Sequence, residues 1–258
     1  MFIFHQIKAV FVSVILMVFV LFPTCFIAIP FSLRRRLLII CPVWQFCSRL
    51  LLRYGCQVKL DISEDNRSPE YQVLPAHGLY IANHQSYIDI PLIFTKYQVP
   101  PIMKKEVLYI PIFGWLAFVS GAMPVSRSSN NSRKKVFSDA RKRIIDLKIG
   151  VQVYPEGTRS KNALPREFND VKSTLIVFAF KEKIPVIPTS IYGTRGVLTK
   201  HGFIKPNRHV GIIVHKEIYP GNYETADEFS KACWGKVREG HDKIKAQLAP
   251  LNENLFLA

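Results

Sequence analysis

Leu79-Tyr80-Ile81-Ala82-Asn83-His84-Gln85-Ser86-Tyr87-Ile88-Asp89 is the stretch on which the architecture turns. Leu79–Ala82 reads as a short buried strand, and Pro91–Lys96 starts a helix. The polar residues between them form a strand-to-helix turn. His84 and Asp89 stand five apart, so on one continuous helix they would point ~140° away from each other at ~100° per residue. They can meet only where the chain bends, and the turn supplies the bend. Asp89 can then hold one ring nitrogen of His84 and leave the other to accept a proton, the base-plus-orienter arrangement of a catalytic dyad. Taken alone, the same residues also fit a surface histidine followed by a helix-capping Asp. No second cluster of acids or histidines has ligand spacing, so no metal is expected.

Working outward, strand-like and helix-like runs alternate. Residues 61–77 read as a loop or hairpin region. The polar run Ser126–Ser132 precedes a basic amphipathic helix in which Val136, Ala140, Ile144 and Leu147 recur at helical spacing and which Gly150 ends. Val151–Tyr154 is a strand, Ser173–Lys183 a helix, Val186–Ile191 and Val210–Val214 strands, and Glu224–Leu248 a long polar helix. This pattern predicts an α/β fold, a mixed β-sheet covered by helices. In such sheets chemistry gathers where strands end. A second polar turn, Val153-Tyr154-Pro155-Glu156-Gly157-Thr158-Arg159-Ser160, lies at such an end. Gly157 admits a positive φ or a close ligand. Arg159 offers a planar fork that matches a phosphate, and Glu156 can fix Arg159 or a ligand hydroxyl. A plain polar turn with a surface ion pair is the competing reading.

The N-terminal quarter is of another kind. Ala9–Leu33 is an uncharged run of 25 residues, interrupted by Pro23 and Pro30; a membrane span needs ~20. Pro23 is expected to kink or break the helix. Arg34, Arg35 and Arg36 follow, then a second apolar segment, Leu37–Leu52, with Arg49 and Arg53 at its far end. A cleaved signal peptide would be shorter and would end at small residues. The segment therefore reads as an N-terminal apolar helical membrane-binding segment, either a full span or a hairpin in one leaflet, with a buried core hairpin as the alternative. Basic residues after it predict a cytoplasmic remainder. The expected division is membrane-anchoring helices over 1–55 and a catalytic domain over 56–258. Across all 258 residues, 48% hydrophobic and 21% charged composition excludes a disordered chain. The 35 Lys and Arg against 19 acids give a formal charge of +16, and mean hydropathy is +0.11. A chain both basic and apolar points to an anionic lipid surface or a phosphorylated ligand; nucleic acid fits the charge but not the apolar N-terminus. The five cysteines, without CxxC spacing, suggest neither a disulfide framework nor a zinc site.

Together the two polar turns resemble the signatures of glycerolipid acyltransferases of the lysophosphatidate acyltransferase type, N-H-x-S-x-x-D and F-P-E-G-T-R-S. Here they read NHQSYID and YPEGTRS, about seventy residues apart and in the family's order, with Tyr154 in place of the Phe. Lys104–Gly114, Pro124–Arg127 and Ile184–Pro188 resemble weaker family blocks, and the likeness covers roughly residues 50–220. One departure follows the second turn, where Phe168-Asn169-Asp170-Val171-Lys172-Ser173 replaces a Phe-Lys-x-Gly segment. The resemblance implies transfer of an acyl group from acyl-CoA or acyl-ACP (acyl carrier protein) to the sn-2 hydroxyl of lysophosphatidic acid. It implies His84 as general base and Asp89 as its orienter, with Lys105, Arg127, Glu156, Gly157, Thr158 and Arg159 around the substrate. It implies no cofactor beyond the acyl donor, a membrane lipid acceptor, no nucleic acid, and a bacterial inner membrane with the catalytic domain on the cytoplasmic side. A sister enzyme acting on lyso-ornithine lipid or lysophosphatidylglycerol, and a non-catalytic anionic-lipid-binding membrane protein, are the competing functions.

Overall fold

The computed structural model describes residues 2–64, 77–97, 99–126, 130–199 and 202–253. It opens with two helical runs. The first joins α1 (Phe2–Ile15), a π-helical stretch Leu16–Leu21 and α2 (Phe22–Ala28). The second joins α3 (Leu33–Leu50) to a π-helical end at Leu51–Gly55. Pro23 does not break the first run. Just before it the backbone loosens into the wider π spacing, which accommodates a ring lacking an N–H. Ile3–Ala28 and Leu33–Gly55 are long and apolar enough to cross a membrane, with mean hydropathies of 2.8 and 1.3. Their outer faces hold large apolar side chains in the open, among them Phe4, Phe11, Phe19 and Phe26.

The sheet begins with β1 (Lys59–Glu64), on the first residues of the expected loop; most of that loop lies outside the described residues. β2 (Leu79–Ala82) leads into α4 (Asp89–Phe94). β3 (Ile102–Lys104) and β4 (Met123–Val125), which the sequence pattern did not reveal, flank a 3₁₀ turn Lys105–Tyr109 and α5 (Phe113–Val119). α6 (Asn130–Arg141) runs through a π-helical turn to Asp146. It stops where Lys148 takes a positive φ, before the expected Gly150. Then come β5 (Val151–Val153), α7 (Thr174–Lys181), β6 (Val186–Tyr192), α8 (Thr194–Val197), β7 (His209–Val214) and α9 (Ala226–Glu253).

The five-stranded sheet has the order β1-β7-β6-β2-β5, mixed as predicted: only β6 and β7 run antiparallel. β3 and β4 pair in parallel and join the β5 edge through a bridge between Pro101 and Gln152. Side chains alternate along β2. Tyr80 and Ala82 enter a core with Leu92, Ile93, Ile187 and Ile212, while Leu79 and Ile81 enter one with Val136, Ile176, Phe229 and Trp234. Each face is thus sealed by helices. α9 is amphipathic rather than polar, with Phe229, Trp234, Val237, Ile244 and Leu248 all buried. Ile81 is level with Val153 and Pro188, and Lys104 with Val125. The carboxyl ends of these parallel strands therefore open on one side. From β2 the chain next adds β5 on one flank and then β6 on the other, so the strand order switches beside β2, where a crevice is expected.

Candidate active site

Asn83 fixes the start of the first turn. Its side-chain amide donates to the Ile191 carbonyl and its oxygen accepts from the Ile191 N–H, both at 2.8 Å. The chain is thereby sewn to the end of β6 just before it bends. His84 then faces Asp89, with Nδ1 and Oδ2 2.7 Å apart. Asp89 is wholly buried. Its Oδ2 also accepts the backbone N–H groups of Gln85 at 2.7 Å and Ser86 at 3.0 Å, and its Oδ1 accepts from the Thr194 hydroxyl. Four donors thus surround this one carboxylate. With Nδ1–H donating to Asp89, Nε2 is the basic nitrogen of His84, whose side chain is 18% exposed. The Tyr154 ring stacks on the imidazole, centroids 4.2 Å apart and planes 24° from parallel.

The second turn closes against the first. The Ser160 N–H donates to the His84 carbonyl at 2.7 Å, and the Glu156 carboxylate accepts the His84 N–H at 3.2 Å and the Arg166 N–H at 3.1 Å. Glu156 is buried, and burial pushes its carboxyl up to about 7 against the pull of those two N–H groups. Burial likewise raises the Tyr154 hydroxyl, and the nearby Asp89 charge adds to it. Gly157 has φ +65°, the conformation its residue type suits, and its N–H is spent on the Tyr154 carbonyl at 2.9 Å. Thr158 and Arg159 are exposed. Glu156 does not fix Arg159, contrary to one sequence reading; the guanidinium lies 4.0 Å from the Tyr87 ring centroid. The short helix α8 after β6 ties both turns, because Thr194 donates to Asp89 and Arg195 donates to the Ser160 carbonyl at 2.6 Å.

The structure thus brings His84, Asp89, Glu156 and Gly157 together. Lys105 stands exposed one residue beyond β3, at the same end of the sheet, and Arg127 lies outside the described residues. Sequence reasoning missed Thr194, whose only sequence signal is its place after a glycine at a strand's end. Lys172, in the segment where the sequence departs from the family pattern, has its side chain 3.7 Å from where a Cβ at Gly157 would lie. Chemically, the arrangement can take a proton at Nε2 and hold the resulting imidazolium against a buried carboxylate.

A family model described as Acyltransferase matches residues 63–192, half of the chain, and spans both turns. The chain is 29% identical over 217 residues to the 1-acyl-sn-glycerol-3-phosphate acyltransferase of Haemophilus influenzae, covering 83% of each. It is 33% identical over 146 residues to a chloroplastic 1-acyl-sn-glycerol-3-phosphate acyltransferase of Brassica napus, covering 55% of this chain and 40% of that one. It spans less than half the length of that plant relative and of those from Arabidopsis thaliana and Chlamydomonas reinhardtii. Among solved structures, the 1-acyl-sn-glycerophosphate acyltransferase PlsC of Thermotoga maritima shares the fold, with TM-score 0.76 and 22% identity over 95% of this chain and 96% of that one. With the matched segment enclosing both the His84 turn and the Glu156 turn, the chain belongs to the Acyltransferase family.

Proposed function

We propose that the protein is a 1-acylglycerol-3-phosphate O-acyltransferase that moves an acyl group from acyl-CoA or acyl carrier protein to the sn-2 hydroxyl of lysophosphatidic acid, giving phosphatidic acid. The observation that carries the reading is the 2.7 Å His84–Asp89 contact in the turn that follows β2. His84 Nε2 takes the acceptor's hydroxyl proton as its oxygen attacks the thioester carbonyl. The tetrahedral intermediate collapses with cleavage of the C–S bond, and the imidazolium returns the proton to the leaving thiolate. Asp89 stabilises that imidazolium. No enzyme nucleophile is required. A placed base contributes ~10²–10⁴-fold; holding two substrates together contributes up to ~7–11 kcal/mol. Arg159, Lys105 and Arg127 are accordingly assigned to the acceptor's phosphate, with Glu156, Gly157 and Thr158 shaping the turn that carries Arg159.

The N-terminal helices embed in the membrane, with the sheet domain on the cytoplasmic side. Their exposed phenylalanines and the five arginines within residues 33–53 support this placement. The acceptor is then drawn from the bilayer and the donor from the cytosol. The deciding experiment is a panel of acceptors and donors offered to the purified protein in detergent, with products read by mass spectrometry. Phosphatidic acid from lysophosphatidate is the expected product. Activity confined to lyso-ornithine lipid or lysophosphatidylglycerol would reassign the acceptor, and no acyl transfer at all would leave a lipid-binding protein.

A further inference from the structure

Tyr109, Ile110, Ile112 and Phe118 are exposed by 71, 50, 43 and 59%. They belong to the catalytic part of the chain, not to the N-terminal hairpin, and the dyad has no use for them. The backbone that displays them is strained. Ile112 has φ 63° and ψ −54°, and the Phe113 N–H donates to the Pro111 carbonyl at 2.6 Å. This is a γ-turn of the rare positive-φ kind, at a β-branched residue for which that conformation is a genuine outlier. Strain of this sort persists only when the surroundings enforce it, and it concentrates at functional places. Here the enforcement is visible: α5 closes so tightly on the 3₁₀ turn that a Cβ at Gly114 would sit 2.2 Å from the Leu108 carbonyl oxygen. The turn is a rigid display of apolar side chains.

Its base is fused to the hairpin. Leu116 and Val119 on the inner face of α5 pack with Leu16, Leu21, Cys25 and Ile40. The Trp115 and Phe22 rings lie 4.8 Å apart, and the Trp44 indole donates to Ser120 at 2.9 Å. The exposed apolar surface therefore continues from the hairpin onto the turn. Cations stand at both ends of this segment. Lys104 and Lys105 precede it, and Arg36 reaches the Val119 carbonyl at 3.4 Å.

We infer that the Tyr109–Phe118 turn is a third bilayer-contacting element: it wedges into the interface of an anionic membrane and holds Lys104 and Lys105 at the level of the lipid phosphates. The occupant is a lipid surface because the patch is continuous with the apolar hairpin and bracketed by positive charge. A tyrosine among aliphatic residues also suits the boundary between headgroups and acyl chains. The inference rests on the membrane placement proposed above. It adds a consequence: Lys105, at the carboxyl end of the sheet, meets the acceptor's phosphate without the acceptor leaving the bilayer.

The test is depth-dependent quenching with the full-length protein in vesicles of phosphatidylethanolamine and phosphatidylglycerol carrying brominated acyl chains. A fluorophore is attached to Tyr109→Cys, to Phe19→Cys on the hairpin, or to Glu239→Cys on the exposed side of α9. The five native cysteines are all buried, so labelling goes to the introduced one. Quenching several-fold stronger at positions 109 and 19 than at 239 is the expected result, and Ile110→Asp should lower it at 109 while sparing 19. Quenching at 19 with 109 matching 239 would overturn the inference and leave the hairpin placement standing. No quenching at 19 or 109 would overturn both. A change at 109 that needs no vesicles and grows with protein concentration would assign the patch to a second copy of the chain.

Discussion

Asp89 is wholly buried and receives four hydrogen bonds, whereas Arg159, on the facing turn, rests its guanidinium on the Tyr87 ring within reach of water. The two turns close on each other, and under the proposed assignment the contrast follows what each would have to do. Proton transfer demands hydrogen-bond geometry held in advance, because reorganising dipoles during the reaction raises the barrier. Capturing a lipid phosphate tolerates a flexible fork, because a charge on a long side chain can follow its ligand. On the proposed assignment, rigidity is concentrated on the base and its orienter, and adaptability on the cation.

The sharpest break of this contrast comes from the base. His84→Ala is expected to lower the release of free CoA, measured with lysophosphatidate and acyl-CoA, by about 10²–10⁴-fold. Circular dichroism and vesicle binding should be unchanged. Wild-type rates in this variant would remove the catalytic assignment.

Next in size is the support behind the orienter. Thr194→Val keeps the shape of the side chain but deletes the hydroxyl that Asp89 Oδ1 accepts from. A hydrogen bond to a charged group is worth about 1.5–3 kcal/mol. The expected loss is roughly tenfold in kcat with the acceptor's KM unchanged, since part of that energy is recovered by relaxation. Thr194→Ser should restore the rate. A Val variant as fast as wild type would mean that three donors suffice to hold Asp89.

Smaller again is the effect on the adaptable side. Arg159→Ala is expected to raise the acceptor's apparent KM about five- to tenfold, the worth of one screened, charge-assisted contact, with kcat within about twofold. If the KM for acyl-CoA moves instead, Arg159 serves the donor and the phosphate assignment passes to Lys105.

How far the sequence reached follows the same division. The His84 and Arg159 turns were legible because their chemistry is local: a strand, a bend, and polar residues in a fixed order. β2, β5, β6, β7 and the long C-terminal helix were legible from periodicity. β3 and β4 were not, because strands of three residues with a proline in one of them carry no alternation to read. Thr194 was not legible because it stands 105 residues from Asp89, and only the pairing of β6 with β2 brings it there. The interruption expected at Pro23 did not occur, because a π-helical stretch absorbs the missing N–H where a regular helix would have broken.

Glu156 lies between the two regimes, and its effect is read in the pH dependence of stability rather than in rate. It is buried like Asp89, yet it belongs to the turn that carries Arg159, and burial outweighs its two backbone donors to lift its carboxyl from 4.5 to about 7. A carboxyl raised on folding stabilises the folded state fully below its unfolded value. That stability is lost as pH rises through about 7, since the unfolded chain releases its proton first. At ~1.4 kcal/mol per unit the change is on the order of 3 kcal/mol at most. Glu156→Gln cannot titrate. It also turns an amide N–H toward a backbone N–H, so it should be less stable than wild type, by a margin that narrows from pH 5 to pH 8 when urea unfolding is followed in detergent. A margin that stays constant would show Glu156 ionised throughout. The two N–H groups would then win over burial, and this turn would be as rigidly charged as the one it faces.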